Sequence, residues 1–131
     1  MLFKRNSLIA LCACLLFAQA CRQKSESLPD DLTLEHEISP QPPRVGQVAI
    51  VLRMTAASGT PITKARIRLE GNMSHAGMAP VFADATEIDA GRYRANIDLS
   101  MAGDWFVLVH ATLADGRKLE RQFEIKGVAP A

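Results

Sequence analysis

The stretch "RYRANIDLSMAGDWFVLVHATLADGRKLERQFEI", residues 92–125, decides the fold. Apolar and polar side chains alternate at its start and again at its end, with the period of two that is typical of a β-strand with one buried face. Between them, residues 104–113 are apolar on both faces at first, which predicts a central strand covered on both sides. Asp115-Gly116 is a hairpin signal. We therefore expect three consecutive antiparallel strands here.

The same alternation continues upstream of residue 92, separated by turn residues and prolines. About seven short strands at regular spacing, with no convincing helix, predict an all-β fold, an immunoglobulin-like antiparallel β-sandwich. The inward residues suffice for a two-sheet core without a disulfide or a structural metal. The four upstream strands are predicted at residues 32–38, 45–54, 62–71 and 81–88.

The N-terminal residues 1–20 read as a signal peptide, with Lys4 and Arg5 before a short apolar segment. Residues 18–20 form an A-x-A cleavage site, and together with Cys21 they also form a loose lipobox. Free secretion and lipid attachment both remain open, and we favour a lipoprotein acylated at Cys21. Residues 22–31 are then a flexible tether, residues 32–126 the folded domain, and residues 127–131 a tail.

The three cysteines of the chain support export. Cys12 and Cys14 lie in the segment that would be removed, and Cys21 would carry the lipid. Without acylation, Cys21 would be an odd thiol in an oxidising compartment, which favours the lipoprotein alternative. We expect a periplasmic, membrane-anchored protein whose folded domain has no disulfide and no thiolate ligand.

Charge and motifs limit the possible functions. Removing Lys4 and Arg5 from 15 basic residues leaves 13, against 14 acidic residues, and no basic stripe or aromatic platform indicates nucleic acid. The sequence has no nucleophile elbow, no zinc-protease motif and no glycine-rich phosphate loop. Ser74 and His75 are adjacent, so their side chains point apart on an extended chain. We expect a protein without enzymatic activity.

The segment "GNMSHAGM", residues 71–78, is the best candidate site. Met73, His75 and Met78 supply two thioethers and one imidazole, which suit Cu(I) and bind harder cations poorly. Met73 and His75 lie on one side of an extended segment, and Gly77 allows the chain to bring Met78 back towards them. The rest of the loop is small or polar, so these methionines should have little local core to fill.

Structural roles compete with this interpretation. Methionines often fill gaps at the edge of a β core, and a loop histidine is usually solvated. Met101 fits a further ligand and a core cap equally well. His110 shares a face with apolar residues of its strand, and a partly buried histidine is favoured there over a ligand. Three further residues are expected to be structural: His36, Met54 and Trp105.

The order of these motifs resembles the YtkA-like/FixH-like domain family, over about residues 32–126. The family typically shows a Met/His/Gly loop, then G-x-Y, then a Met-x-G-x-W element before a long strand. Here these are "GNMSHAGM", Gly91, Tyr93, Met101, Gly103 and Trp105. The resemblance implies a small exported β-sandwich associated with copper handling and haem–copper oxidase assembly, with Met73, His75 and Met78 as copper ligands and Met101 as a possible fourth.

Two functions follow from the sequence. The first is a lipid-anchored periplasmic domain that binds Cu(I) through its Met/His loop and passes it to a copper-receiving partner. The second is an interaction module that docks on an envelope complex, with the methionines as packing.

Overall fold

The computed structural model describes residues 31–75 and 77–131. The predicted signal peptide, Cys21 and all but the last residue of the predicted tether lie outside these residues. The part of the chain that the structure describes contains no helix, and hence none able to cross a membrane. Its seven strands are β1 (Leu32–Ser39), β2 (Gly46–Ala56), β3 (Arg66–Met73), β4 (Val81–Asp89), β5 (Arg92–Leu99), β6 (Gly103–Thr112) and β7 (Lys118–Val128).

The seven strands form two antiparallel layers joined through β4. The order is β1-β2-β5-β4-β3-β6-β7, and every neighbouring pair is antiparallel. The first part of β4 pairs with β3, and its last part pairs with β5, so β4 passes from one layer to the other. This curled sheet confirms the predicted all-β sandwich.

Alternate residues of both layers fill one core. Trp105 and Tyr93 are its largest fully buried side chains. Met54, expected to be structural, is 1% exposed and belongs to it. The period-two pattern of the sequence is therefore realised as one inward face per strand, as in β5, where Tyr93, Ala95, Ile97 and Leu99 are buried.

Three details of the strands differ from the predictions. β6 is central in its layer, between β3 and β7, but only its inward face is buried; Phe106 and Leu108 on the outward face are half-buried, because no further layer covers them. β3 begins at Arg66 rather than residue 62, and it continues through Gly71 to Met73. β7 runs on to Val128, two residues beyond the predicted domain end.

The connections divide between two poles of the sandwich. We call one the N-terminal pole: Asp31, the β2–β3 connection, the β4–β5 turn and the β6–β7 hairpin. Its parts meet where the Ala57 amide donates to the Asp31 carbonyl at 2.7 Å and Arg117 reaches the Asp31 carboxylate at 3.4 Å. We call the other the loop pole: residues 40–45, 74–80, 100–102 and 129–131. Each of these segments adjoins a strand end that lies on this side of the sandwich.

An aromatic stack joins the two layers on the side away from β4. The His36 ring of β1 lies on the Phe123 ring of β7, with centroids 4.0 Å apart and planes 16° from parallel. His36 is thus structural, as expected, although it is exposed at the edge of its layer rather than buried. Burial against its neighbours, with a smaller contribution from the Arg121 charge, lowers the pKa of His36.

Gly71 lies in a closely packed part of the core beside Trp105. A β-carbon at this position would lie 2.9 Å from Val81 Cγ2, 3.0 Å from Ile97 Cδ1 and 3.6 Å from Trp105 Cε3. The first two separations are shorter than van der Waals contact. A larger residue would force these two side chains to shift, so glycine is favoured here for its small volume, within a strand that a glycine would otherwise weaken.

We expect Gly71→Ala to destabilise the domain by about 1–3 kcal/mol, because the added methyl group overpacks the core. Urea unfolding of the purified domain would measure the change. Ser74→Ala, three residues later and exposed, is the control and should change stability by less than about 0.5 kcal/mol. A Gly71→Ala variant as stable as the wild type would contradict this packing.

We also expect the His36 stack to make stability depend on pH. The unfolded chain protonates His36 near pH 6.5, whereas the folded chain, with a lowered pKa, holds the ring neutral. Stability should therefore fall as the pH drops from about 6.5 through the lowered pKa of the folded state. In His36→Phe the aromatic stack remains without a titrating group, so urea midpoints at pH 7.5 and pH 5 should differ less than in the wild type.

Arg121→Gln should reduce the same pH dependence in part, since it removes the positive charge beside the ring. An unchanged difference between the two midpoints in His36→Phe would show that another group carries the effect.

Candidate functional site

The pairing of β3 with β6 positions the candidate site. Met73, the last residue of β3, lies opposite Trp105 of β6. Its side chain is 7% exposed and belongs to the core. Its Cε lies 3.1 Å from the place of a β-carbon at Gly103, so Gly103 leaves the room that this methyl group occupies. The expectation that the loop methionines have little core to fill is wrong for Met73, because β3 continues two residues further than predicted.

Trp105 holds the neighbouring β5–β6 loop. Its indole is 2% exposed, and its Nε1 donates a hydrogen bond of 2.9 Å to the backbone carbonyl of Met101. This satisfies a buried donor and fixes the backbone of the loop. The Met101 side chain is 45% exposed, so of the two roles left open for Met101, capping the core receives little support. Trp105 is thus structural, as expected, and it also holds the backbone of Met101.

The β3–β4 loop carries the other two donors. His75 is exposed, and Met78 is half-buried with one side against the core. Gly77 has φ +84°, a left-handed conformation that favours glycine, and this agrees with its expected role in turning the chain. The thioether of Met78 and the imidazole of His75 therefore lie on a short turn that directly follows the buried Met73.

The structure thus places four residues at or beside the loop pole: Met73 at the end of β3, His75 and Met78 in the following connection, and Met101 in the connection before β6. Their environments differ: Met73 is buried beneath the surface, and the other three are wholly or partly exposed. Within residues 31–75 and 77–131, no three side chains of His, Asp and Glu form a group able to hold a metal ion. Soft-metal binding at this pole would therefore depend on thioethers.

His110 lies elsewhere. It is on the outward face of β6, seven residues from Gly103, which at roughly 3.3 Å per residue is about 23 Å from the loop pole. Its Nε2 lies 2.9 Å from Glu70 Oε2, and its Nδ1 lies 3.1 Å from Glu120 Oε2. Both ring nitrogens are therefore engaged by carboxylates of the adjacent strands. The hydrogen bond from His110, with a second from Asn72, lowers the pKa of Glu70.

Two residues that position the site were not identified as such from the sequence. Gly103 leaves room for Met73 of the paired strand, and Trp105 holds the backbone of Met101, so the structure is needed to identify both roles. The signal available in the sequence was the place of Gly103 between Met101 and Trp105. In the structure its φ is +124°, a conformation that favours glycine.

The chain is similar to known proteins in sequence and, more weakly, in structure. A family model described as YtkA-like matches residues 28–110 of the chain. A solved structure of murine CRIg is similar with a TM-score of 0.44 and 12% sequence identity, over 76% of this chain and 98% of that one. No curated protein matches the chain.

Met73 is buried and Met101 is exposed, so we expect their removal to destabilise the domain to different extents. We expect Met73→Ala to cost about 2–5 kcal/mol, since it leaves a cavity beside Trp105 and Gly103. Met101→Ala should cost less than about 0.5 kcal/mol, because its side chain is exposed and its backbone contact with Trp105 remains. Urea unfolding of both variants measures the contrast. Similar losses in the two variants would be inconsistent with these placements.

Proposed function

Because the chain belongs to the YtkA-like family, we propose that this exported β-sandwich binds Cu(I) at its loop pole and passes the ion to a protein partner. The ion is cargo, and no catalysis is involved. We propose further that the protein is periplasmic and is held at the membrane by a lipid on Cys21.

The observation that carries the proposal is the meeting of soft donors at one pole. Met78 and His75 follow β3, Met101 precedes β6, and the pairing of these two strands brings both connections to the same end. Two thioethers and an imidazole form a soft, neutral donor set, which suits Cu(I). The folded domain contains no cysteine that could compete for the ion.

Burial suggests different roles for the donors. His75, Met78 and Met101 are accessible without unfolding and would hold the ion. Met73 has its methyl group against Gly103, and its sulfur could join only if the side chain left the core. Met73 would then be the apolar floor of the site, and Trp105, through the Met101 carbonyl, its support.

A second function is favoured by the same burial of Met73. If the half-buried Met78 also serves packing alone, the pole is a docking surface of an envelope protein without a metal. The first function predicts that the domain binds Cu(I), and the second predicts that it does not.

We expect the mature domain to bind Cu(I) in a competition titration against a coloured Cu(I) chelator under reducing, anaerobic conditions. Met78→Leu and Met101→Leu should each weaken binding by about tenfold or more, which corresponds to about 1.4 kcal/mol, because each variant removes one thioether. His75→Ala should weaken it similarly. Met73→Leu, which preserves the volume of the core, should have a smaller effect.

Met54→Leu is the matched control: it removes a thioether that is 1% exposed in the core, on the strand whose end lies at the opposite pole. Its affinity should equal that of the wild type. Equal binding by the wild type and the Met78→Leu, Met101→Leu double variant would exclude the loop pole as the site, and the absence of any binding would favour the second function.

A further inference from the structure

The start of the folded domain and the candidate metal ligands lie at opposite poles of the sandwich. The chain enters the described domain at Asp31, at the N-terminal pole, where Asp31 contacts Ala57 and Arg117. The candidate donors are at the loop pole. β3 alone, with its 8 residues, separates the poles by about 25 Å at roughly 3.3 Å per residue.

We propose that the loop pole faces away from the anchoring membrane and is the docking surface for a water-soluble protein that receives the ion from the aqueous side. This inference rests on the proposed function, and it adds the orientation of the site and the class of its partner.

The length of the connection to Cys21 favours this orientation. Ten residue steps separate Cys21 from Asp31, so the connection reaches at most about 35 Å when fully extended. To turn the loop pole towards the membrane, Asp31 would have to move about 25 Å away from it, which leaves few conformations for the connection. With the N-terminal pole towards the membrane, many conformations are allowed. For the tether that the sequence predicts, chain entropy therefore favours the orientation with the donors outward.

The composition of the loop pole fits a protein partner. Its four segments, residues 40–45, 74–80, 100–102 and 129–131, contain one charged side chain, Arg44, in a chain that is 22% charged. Prolines, alanines, serines and the donors make up most of the remainder. Depletion of charge is characteristic of the central part of protein interfaces.

The N-terminal pole is more highly charged. Asp31, Lys64, Asp115 and Arg117 lie in its segments, and Asp115 and Arg117 form an ion pair of 2.8 Å. Such a surface is easily kept hydrated beside lipid headgroups. The contrast between the poles is independent of the argument from chain length, and both arguments place the docking surface at the loop pole.

Fluorescence energy transfer to the membrane tests the orientation without copper. The chain would be produced as a lipoprotein and reconstituted into vesicles that contain an acceptor-labelled lipid. Once Cys21 carries its lipid, a new cysteine is the single free thiol of the mature chain. Ala114→Cys at the N-terminal pole and Ala102→Cys at the loop pole, both exposed, would each receive the same donor dye.

We expect at least about twofold more efficient transfer from position 114 than from position 102, because the poles are about 25 Å apart. Equal efficiencies, or more efficient transfer from position 102, would overturn the proposal. So would equal membrane retention of the wild type and Cys21→Ser, because the anchor itself would then be absent.

Copper transfer tests the partner. The lipid-anchored wild type would be compared with Cys21→Ser, Ala131→Cys coupled to a maleimide lipid, which fixes the domain by its loop pole. The acceptor is a soluble protein-sized Cu(I) chelator, and free Cys21→Ser is the control. We expect the wild type to transfer at nearly the rate of the control and the reversed anchor to transfer several-fold more slowly. Equal rates for both anchored forms would overturn the partner class.

The two proposals fail separately. If Cys21→Ser does not bind Cu(I) in solution, the proposed cargo is wrong, while the fluorescence comparison still decides the orientation. If Cu(I) binds and the fluorescence difference is absent, the orientation is wrong and the proposed function stands.

Discussion

The eight-residue pairing between β3 and β6 is the constraint on which the rest of the structure depends. It sets Met73 opposite Trp105 and Gly71 opposite Val107, so the close packing around Gly71 and the start of the β3–β4 loop are fixed together. The same register brings the β5–β6 loop beside it. A slip of one residue would turn Met73 outward and Asn72 inward, and it would dismantle both the core and the candidate site.

Much of the fold could be predicted from the sequence because burial on one face leaves a period of two in the residues. β5 and β7 follow the alternation closely, and Asp115-Gly116 marks the hairpin between β6 and β7. The outward face of β6 was misread, since Phe106 and Leu108 look like core residues when the layers around them are unknown. The end of β3 was also misread, because Gly71 resembles a turn residue until its neighbours in space are known.

The candidate site could be predicted less well than the fold. Residue chemistry identifies Met73, His75 and Met78 as soft donors, but it does not say which of them reach the surface. That depends on where β3 ends. Met73, a main candidate ligand from the sequence, is buried, whereas Met101, only a possible fourth ligand, is exposed. The support that Trp105 gives to Met101 depends on a hydrogen bond between positions four apart, one in a strand and one in a loop. The contacts of His110 with Glu70 and Glu120 depend on the register of the adjacent strands, which the sequence alone does not specify.

The burial of Met73 places a packing constraint on it that the exposed His75 and Met101 do not share. His75 and Met101 can be exchanged with little effect on the core, so packing places no constraint on the proposed metal binding at these positions. Met73 is kept by packing against Gly103 whether or not an ion is bound. The same packing would keep this methionine in a relative that binds no metal. Its presence in a homologous chain therefore indicates the architecture, and the exposed positions around it would indicate whether the proposed metal binding is retained.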